Sequence, residues 1–271
     1  MAELLRKRNE IVLNDGVKVI QEVTKENSML EYTAMRVLEV NQGASYSEDL
    51  QKWEVCIVAL TGKISVTEGD NQFDAIGRRE SVFDRVPTDS VYVTNDKSFT
   101  VKADSDATVI LCYAPSDKQL PTRLIKAEEN LIEDRGKNSN KRHVHNILDD
   151  QSDYANSLLV VEVFTDSGNW SSYPPHKHDQ DNLPEESFLE EIYYHEMNPP
   201  QGFVFQRVYT EDRSIDETMA VYNQDAVLVP AGYHPVAVPD GYNSYYLNIM
   251  AGPTKQWKFH NEVAHEWLLK Q

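Results

Sequence analysis

The fold and the chemistry of this chain are both predicted from the segment WSSYPPHKHDQDNLPEESFLEEIYYHEM, residues 170–197. His176 and His178 are separated by one residue and follow two prolines. In an extended chain, side chains at positions i and i+2 point to the same face, so both imidazoles can reach one ion. The glutamates that follow stand at the start of an aromatic, strand-like run, and borderline divalent metals favour such mixed nitrogen and oxygen ligands. The segment therefore predicts a metal site within β-structure, provided that other segments supply further ligands.

The composition limits the classes of protein to which the chain can belong. Its 271 residues predict two domains, at about 150 residues per domain. The formal net charge of −18 argues against nucleic acid and anionic membranes as partners, because both require basic patches. No stretch approaches the roughly 18 apolar residues of a transmembrane helix, and the N-terminus has no apolar run after its charges. We therefore expect a soluble cytoplasmic protein in which Cys56 and Cys112, both in apolar runs, are buried thiols.

Short runs rich in β-branched and aromatic residues fill both halves of the chain, with turn residues such as Thr61-Gly62 between them. In the first half they predict strands at 32–40, 53–60, 63–68, 90–94, 98–103 and 108–114. In the second half they predict strands at 143–148, 157–165, 188–197, 202–210, 217–223, 225–230, 234–238 and 244–252. Strands at this regular spacing favour antiparallel sandwiches or small barrels, so the predicted fold is all-β.

A polar segment at 115–141, interrupted by proline, glycine and asparagine, separates the two sets of strands and predicts a domain boundary. We place an N-terminal domain at 1–130 and a C-terminal domain at 131–271, each an antiparallel β-barrel. The first half contains no histidine, so we assign it a structural role. Residues 259–270 predict a short C-terminal helix that Asn261 caps and that packs on the barrel through Val263, Trp267 and Leu268.

Strand alternation identifies candidates for the remaining metal ligands. Along FLEEIYYHE it places Glu191, Tyr193 and His195 on one face and Glu190 on the other. We favour Glu191 as the ligand, because it shares its face with residues suited to a polar cavity, and Glu190 remains the alternative. The segment VPAGYHPVAV offers His234 as a further ligand after a Pro-Ala-Gly turn. Three histidines and one carboxylate would form a Lewis-acidic site suited to chemistry on a carbonyl group.

These motifs resemble those of a known superfamily. PPHKHD with a downstream glutamate, together with PAGYH, resembles the two metal motifs of the cupins, and the family of 5-deoxyglucuronate isomerases of myo-inositol catabolism is similar over most of the C-terminal half. That family is related to the pectin-pathway ketol-isomerases. The passages that carry the resemblance are GNWSSYPPHKHD (168–179), LEEIYYHEMNPPQGFVFQRVYT (189–210), VLVPAGYHPVAVPDGYNSYYLNIMAG (227–252) and the tail from Trp257 to Trp267.

The resemblance implies a bicupin fold in which the N-terminal half is a degenerate, histidine-free cupin. It also implies that a divalent metal, whether zinc, manganese or iron, is bound by His176, His178, Glu191 and His234. The insertion DQDNLPEESFLE lengthens the gap between His178 and Glu191 relative to the general cupin pattern. This insertion leaves Glu185, Glu186 and Glu190 as alternative carboxylate ligands.

The implied reaction is the isomerisation of an aldose to a ketose on a deoxyuronic acid, a small-molecule substrate. It requires a base for the proton next to the carbonyl, and the candidates are His195, Tyr193 and Glu190. The substrate carboxylate requires a cation, for which Arg207 is the first choice, with Arg142 and Lys177 as weaker ones. Two other functions remain open, an iron-dependent cupin dioxygenase and a non-catalytic sugar-binding bicupin. Assembly as a homo-oligomer is also left open.

Overall fold

The computed structural model describes residues 3–270 and consists almost entirely of antiparallel β-sheet, which confirms the all-β prediction. Each half of the chain contributes one seven-stranded and one four-stranded sheet, and two strand pairs complete the C-terminal half. The strands of the first half are β1 Leu5–Arg6, β2 Ile11–Asn14, β3 Val17–Val23, β4 Ala34–Val40, β5 Ser45–Asp49, β6 Trp53–Thr61, β7 Ile64–Glu68, β8 Asn71–Ile76, β9 Ser90–Val93, β10 Ser98–Ala103, β11 Ala107–Pro115 and β12 Arg123–Ile125. Two short 3-10 helices, η1 Val82–Asp84 and η2 Ala127–Glu129, lie in the same half.

The second half also consists mainly of short strands and ends in one further helix. Its strands are β13 Leu131–Arg135, β14 Arg142–Leu148, β15 Leu159–Thr165, β16 Trp170–Ser171, β17 His176–Lys177, β18 Asp179–Asn182, β19 Glu186–Phe188, β20 Glu190–Asn198, β21 Phe203–Tyr209, β22 Asp216–Tyr222, β23 Ala226–Val229, β24 Val236–Ala237, β25 Asn243–Ala251 and β26 His260–Asn261. The helix η3 spans Val263–Lys270. The structure thus contains each strand predicted for either half.

The two large sheets have corresponding strand orders, so the halves are related as internal repeats. The first sheet runs β12-β9-β6-β11-β4-β3-β2, and the second runs β1-β23-β20-β25-β15-β14-β13. Strands β6 and β20 therefore occupy equivalent positions, and each is flanked by its equivalent neighbour, β11 or β25. The register agrees, because Glu54 on β6 lies opposite Ala114 and Glu190 on β20 lies opposite Ala251. By this equivalence the position of Glu191 is taken by Val55 in the first half.

Alternation along β6 explains how the halves are joined. Val55, Ile57 and Ala59 point into the core of the first barrel. Cys56, Val58 and Leu60 point the other way and join a second core that includes the C-terminal barrel. Both faces of the strand are therefore buried, which accounts for its almost unbroken apolar sequence. Cys56 and Cys112 face each other across β6 and β11 as buried free thiols, as predicted.

A buried carboxylate from each half binds backbone amides of the other half. Glu190 accepts hydrogen bonds from the amides of Glu31, at 2.9 Å, and Tyr32, at 2.7 Å. Its equivalent Glu54 accepts from three consecutive amides that precede β15, namely Asn156 at 2.9 Å, Ser157 at 2.7 Å and Leu158 at 2.8 Å. We call these two sets of bonds the carboxylate clasps. Each clasp satisfies backbone N–H groups of a loop that pairs with no strand at the interface between the halves.

One strand of the N-terminal half is paired within the C-terminal sheet. Leu5 and Arg6 of β1 pair with Val227 and Ala226 of β23, while the other strands before residue 126 pair with one another. The predicted linker contains β12 and β13, which belong to different sheets. The placement of the domain boundary between residues 130 and 131 stays a prediction.

The short C-terminal helix is confirmed, although its start and its packing differ from expectation. Asn261 belongs to β26 and pairs with His176, so it does not cap a helix that starts two residues later. Val263 and Trp267 are exposed, and Leu268 is half-buried. The helix therefore contacts the barrel through fewer side chains than predicted. No helix between residues 3 and 270 is long and apolar enough to cross a membrane.

Candidate metal centre and cavity

Three imidazoles and one carboxylate converge at one end of the C-terminal barrel. One ring nitrogen each from His176, His178 and His234 lies within 4.8 Å of the other two. The Glu191 Oε2 atom lies 3.1 Å from His178 Nε2 and 3.2 Å from His234 Nε2. The structure thus brings together all four residues predicted as metal ligands. Glu185 and Glu186 lie outside this cluster, on the loop and strand between β18 and β20.

Local backbone structure explains how each ligand is placed. His176 lies in β17, which pairs with the tail strand β26, and His178 follows after one intervening residue. Glu191 lies in β20, between Val229 and Met250 of the neighbouring strands. His234 follows Gly232, which has a φ of +93° and passes so close to β21 that a Cβ would lie 2.4 Å from the Tyr209 carbonyl oxygen. Glycine is required there by both the angle and the space.

The hydrogen bonds of two imidazoles leave their inner nitrogens free to bind a cation. His178 Nδ1 donates to the Leu189 carbonyl at 2.9 Å, and His234 Nδ1 donates to the Gly232 carbonyl at 2.8 Å. Because a carbonyl oxygen only accepts, these contacts place a proton on each Nδ1, and in a neutral imidazole the lone pair is then on Nε2. Among residues 3–270 the buried His234 Nε2 atom has no hydrogen-bond partner. Two lone pairs directed at a buried carboxylate oxygen form an arrangement of acceptors that a divalent metal would satisfy.

The pKa shifts of Glu191 and His176 favour metal binding, whereas the pKa of His178 is raised, because its hydrogen bond with the charged Glu191 outweighs the effect of burial. Burial raises the pKa of Glu191, but the imidazoles of His234 and His178 outweigh it and hold the pKa at about 2. Burial, together with the neighbouring His234 and His178, lowers the pKa of His176 well below its usual value. A carboxylate and a neutral imidazole are the forms that coordinate metals.

A cavity of about 30 Å³ lies beside the cluster within the barrel. One wall is apolar and is formed by Val144, Val161 and Val163. The remaining lining is polar or aromatic and consists of Arg135, Arg142, Ser172, His176, Glu191, Tyr193, Tyr246, Asn248 and Trp257. Polar groups that converge beside an apolar wall are typical of small-molecule binding sites.

Arg142 differs from the other arginines of the protein. The sequence contains eleven arginines, and ten of them have a carboxylate oxygen within 4.0 Å. Within the part of the chain that the structure describes, Arg142 has none and donates only to the Asn140 backbone and side-chain oxygens, each at 3.0 Å. Burial lowers its pKa. In a protein of net charge −18, a half-buried guanidinium of this kind is chemically suited to bind an anion.

Three of the residues predicted for catalysis or substrate binding lie away from the cavity. Glu190 forms a carboxylate clasp with the other half, which corrects the prediction that it acts as a base at the cavity. Lys177 points away from its neighbouring histidines, and its Nζ binds Asp179 at 2.6 Å and Glu186 at 2.9 Å. Arg207 lies on the outer face of β21 and binds Asp216 with two bonds of 2.8 Å. Lys177 and Arg207 are therefore corrected as substrate-binding residues.

Tyr193 and His195 share the inner face with Glu191, as the alternation predicts. Tyr193 lines the cavity, and its hydroxyl lies 2.9 Å from Ser172 Oγ. His195 lies deeper, with its ring nearly parallel to Tyr193 at a centroid distance of 5.8 Å and its Nε2 3.0 Å from Gln206 Oε1. Burial lowers the pKa of His195 to about 4, so its imidazole is neutral at pH 7. His195 contacts the tyrosine rather than the cavity.

The sequence did not identify five residues of the lining as site residues, namely Arg135, Ser172, Tyr246, Asn248 and Trp257. Tyr246 and Asn248 lie opposite His195 and Tyr193 on β25, so strand phase together with a pairing register would have identified them. Ser172 has a φ of +49° and no local sequence signal for its role. Trp257 enters from the tail after β25, and only the tertiary structure places it there.

The fold and the site together define a class of protein, the bicupins. Oxalate decarboxylase of Bacillus subtilis superposes with a TM-score of 0.69 over 96% of this chain and 80% of that chain, at 14% identity, which shows the shared fold. The sequence model of the KduI/IolB family matches residues 4–268, and the chain belongs to that family. A crystal structure of an IolB-like protein from Salmonella typhimurium LT2 superposes with a TM-score of 0.94 at 46% identity, over 99% of this chain and all of that chain. A 5-deoxy-glucuronate isomerase of Bacillus subtilis (strain 168) is 67% identical over 271 residues, the full length of both chains.

Proposed function

We propose that this protein is a metal-dependent sugar-acid isomerase that converts 5-deoxy-D-glucuronate to 5-dehydro-2-deoxy-D-gluconate in myo-inositol catabolism. The full-length relatives named 5-deoxy-glucuronate isomerase support this activity. The observation that carries the proposal is the convergence of three imidazoles and Glu191 beside a cavity that holds an arginine without an acidic partner.

The ligands proposed for the metal are His176, His178, Glu191 and His234. Their nitrogen and oxygen donors suit zinc, manganese or iron. When bound, such an ion supplies Lewis acidity that polarises the carbonyl and hydroxyl oxygens of the reacting carbons. The backbone carbonyls on the outer nitrogens of His178 and His234 keep these rings in the required orientation.

Arg142 is the proposed anchor of the substrate carboxylate. The reacting carbons of 5-deoxyglucuronate lie at the end of the molecule opposite its carboxylate, so recognition and chemistry require two separate groups. Arg142 and two of the proposed metal ligands, His176 and Glu191, line the same cavity. A guanidinium can bind a carboxylate through two parallel hydrogen bonds, which fixes the orientation as well as the position of the substrate.

Tyr193 is the proposed proton donor to a substrate oxygen. The isomerisation moves one proton from C2 to C1 and one from the C2 hydroxyl to the C1 oxygen. Burial raises the pKa of Tyr193 well above its usual value, so the phenol remains protonated at neutral pH. The hydrogen bond with Ser172 and the stacked ring of His195 hold it in place. His195 is accordingly a positioning residue for this phenol.

The test is turnover of the sugar acid by purified protein after metal removal and after separate addition of zinc, manganese or iron without oxygen. In deuterated water, proton NMR should show the ketose with deuterium at C1 only when a metal has been restored. His176→Ala should abolish turnover and metal retention. His143 belongs to the other His-x-His pair of the sequence, and its ring binds Asp134 outside the cluster. His143→Ala should therefore leave both turnover and metal retention unchanged. Absence of turnover with all three metals would refute the proposal.

The proposal also includes the setting in which the enzyme works. We propose that it acts in the cytoplasm on a small-molecule sugar acid, with neither nucleic acid nor membrane as a partner. Light scattering of the purified protein distinguishes a monomer from a homo-oligomer. Subcellular fractionation of the native host tests the location.

A further inference from the structure

Two buried polar atoms of the cavity lining have no hydrogen-bond partner among residues 3–270. They are the indole Nε1 of Trp257 and the side-chain Oδ1 of Asn248. Asn248 is 5% exposed, so bulk water does not satisfy its oxygen. Buried polar groups in folded proteins are almost always paired, and each exception requires an explanation. Trp257 and Asn248 both line the cavity that Arg142 also lines.

Both side chains are fixed in place by contacts that leave the polar atom free. Asn248 lies in the centre of β25, opposite Tyr193 on one neighbouring strand and Val161 on the other. The Trp257 backbone amide donates to Asp150 at 3.0 Å. The Trp257 ring lies 5.4 Å from the Arg135 guanidinium and 6.3 Å from the Phe259 ring. The two residues are therefore held rigidly, as groups that bind a ligand should be.

The chemical types of the free atoms match a hydroxylated carboxylate. The indole Nε1–H can only donate, and in a cavity that Arg135 and Arg142 also line it suits a carboxylate oxygen. The free Asn248 Oδ1 can only accept, and it suits a hydroxyl group. We propose that Trp257 donates to the substrate carboxylate together with Arg142, and that Asn248 accepts from a hydroxyl of the carbon chain. The two residues then determine specificity for polyhydroxy acids at the proposed isomerase site, on which this inference rests.

Trp257→Phe tests the first contact, because it keeps a smaller aromatic ring between Arg135 and Phe259 and removes the N–H donor. In the metal-loaded enzyme it should raise KM for the sugar acid by about tenfold and change kcat by less than about twofold, since the bond forms in ground and transition states alike. The matched control is Trp267→Phe, the same substitution on the exposed helix of the same tail, which should leave KM unchanged.

Asn248→Leu tests the second contact by comparing substrates. Wild-type enzyme should prefer 5-deoxyglucuronate over an analogue that lacks the recognised hydroxyl, at C3 or at C4, by about tenfold or more in kcat/KM. In Asn248→Leu this preference should fall to about twofold or less, because the residue that reads the hydroxyl is gone. A purely structural role of Asn248 would lower the rate with all the substrates equally.

Equilibrium binding separates this inference from the isomerase proposal. The probe is the non-isomerisable acid obtained by reducing the aldehyde of 5-deoxyglucuronate to an alcohol, titrated calorimetrically into metal-loaded protein. Weaker binding to Trp257→Phe and to Asn248→Leu than to wild type supports the inference even if no turnover is found. Unchanged binding and unchanged KM in Trp257→Phe, with wild-type turnover intact, would overturn the assignment of Trp257 and leave the isomerase proposal standing. Unchanged discrimination in Asn248→Leu would do the same for Asn248.

Discussion

Substitution of the neighbouring glutamates of β20 tests both the proposed metal site and the contact between the two halves of the chain. Glu191 faces the histidines, whereas Glu190 forms a carboxylate clasp with backbone amides of the first half. We expect Glu191→Gln to weaken metal affinity by at least about 100-fold, because loss of even an outer partner of a ligand costs 10- to 100-fold. We expect Glu190→Gln to retain the metal and to lower the free energy of unfolding.

The size of the stability loss follows from the two amides that Glu190 binds. A hydrogen bond to a charged group contributes about 1.5–3 kcal/mol and a neutral one about 0.5–1.5 kcal/mol. Glutamine keeps one oxygen acceptor but loses the charge, so two charged bonds become two neutral ones. The expected loss is about 2–3 kcal/mol in total.

Two measurements on the same preparations check this prediction. Metal content after dialysis is measured by mass spectrometry, and stability is measured by urea unfolding of the metal-loaded protein with tryptophan fluorescence. Glu54→Gln, in the equivalent clasp, is the matched control and should behave like Glu190→Gln. If Glu190→Gln loses the metal while Glu191→Gln retains it, the orientation assigned to β20 is wrong.

Three further predictions concern charged groups. Arg142→Met should raise KM for the sugar acid by about 30-fold or more, with a much smaller change in kcat; steady-state kinetics showing a KM within twofold of wild type would remove Arg142 as the anchor. Glu162→Gln should lower the free energy of unfolding by about 3–5 kcal/mol, because it leaves the fully buried Arg79 without its counter-charge. In thermal unfolding, the double variant Arg79→Met, Glu162→Leu should recover most of this loss. Burial raises the pKa of Glu196 to about 7. The folded protein therefore retains a proton that the unfolded chain releases above about pH 4.5, and the free energy of unfolding should fall as the pH rises from 4.5 to 7. Urea midpoints across this range should decline less in Glu196→Gln, and an identical decline in the variant would contradict the assignment.

The long central strands could be predicted from the sequence, whereas the edge strands could not. Strands such as β6 and β25 are buried on both faces and carry continuous apolar or aromatic runs that turns delimit. Strands β2 and β13 lie at the outer edges of the two large sheets, and most of their residues are exposed. Each pairs along one edge only, with the next strand of the chain, and its exposed residues give little compositional signal.

The four residues predicted as metal ligands converge in the structure, whereas Arg207, the first choice for the substrate cation, lies away from the cavity. A two-residue period shows which side chains share a face, but it does not show which face is the inner one. On β21 the set Phe205, Arg207 and Tyr209 faces outwards, and Gln206 points into the barrel. The decisive property of Arg142 is that no carboxylate lies near it, and this property exists only in the folded structure.

The pairing of β1 with β23 has a consequence for the order in which the protein can be completed. Leu5 pairs with Val227, which is synthesised 222 residues later. At about 5–20 residues per second, the first strand leaves the ribosome at least about 10 s before its partner exists. The first barrel has its own apolar core and can form during that interval, but the second sheet remains open at one edge until the beginning of the chain returns to it. An isolated fragment beginning at residue 131 would expose this edge of β23 and should aggregate more readily than the whole chain.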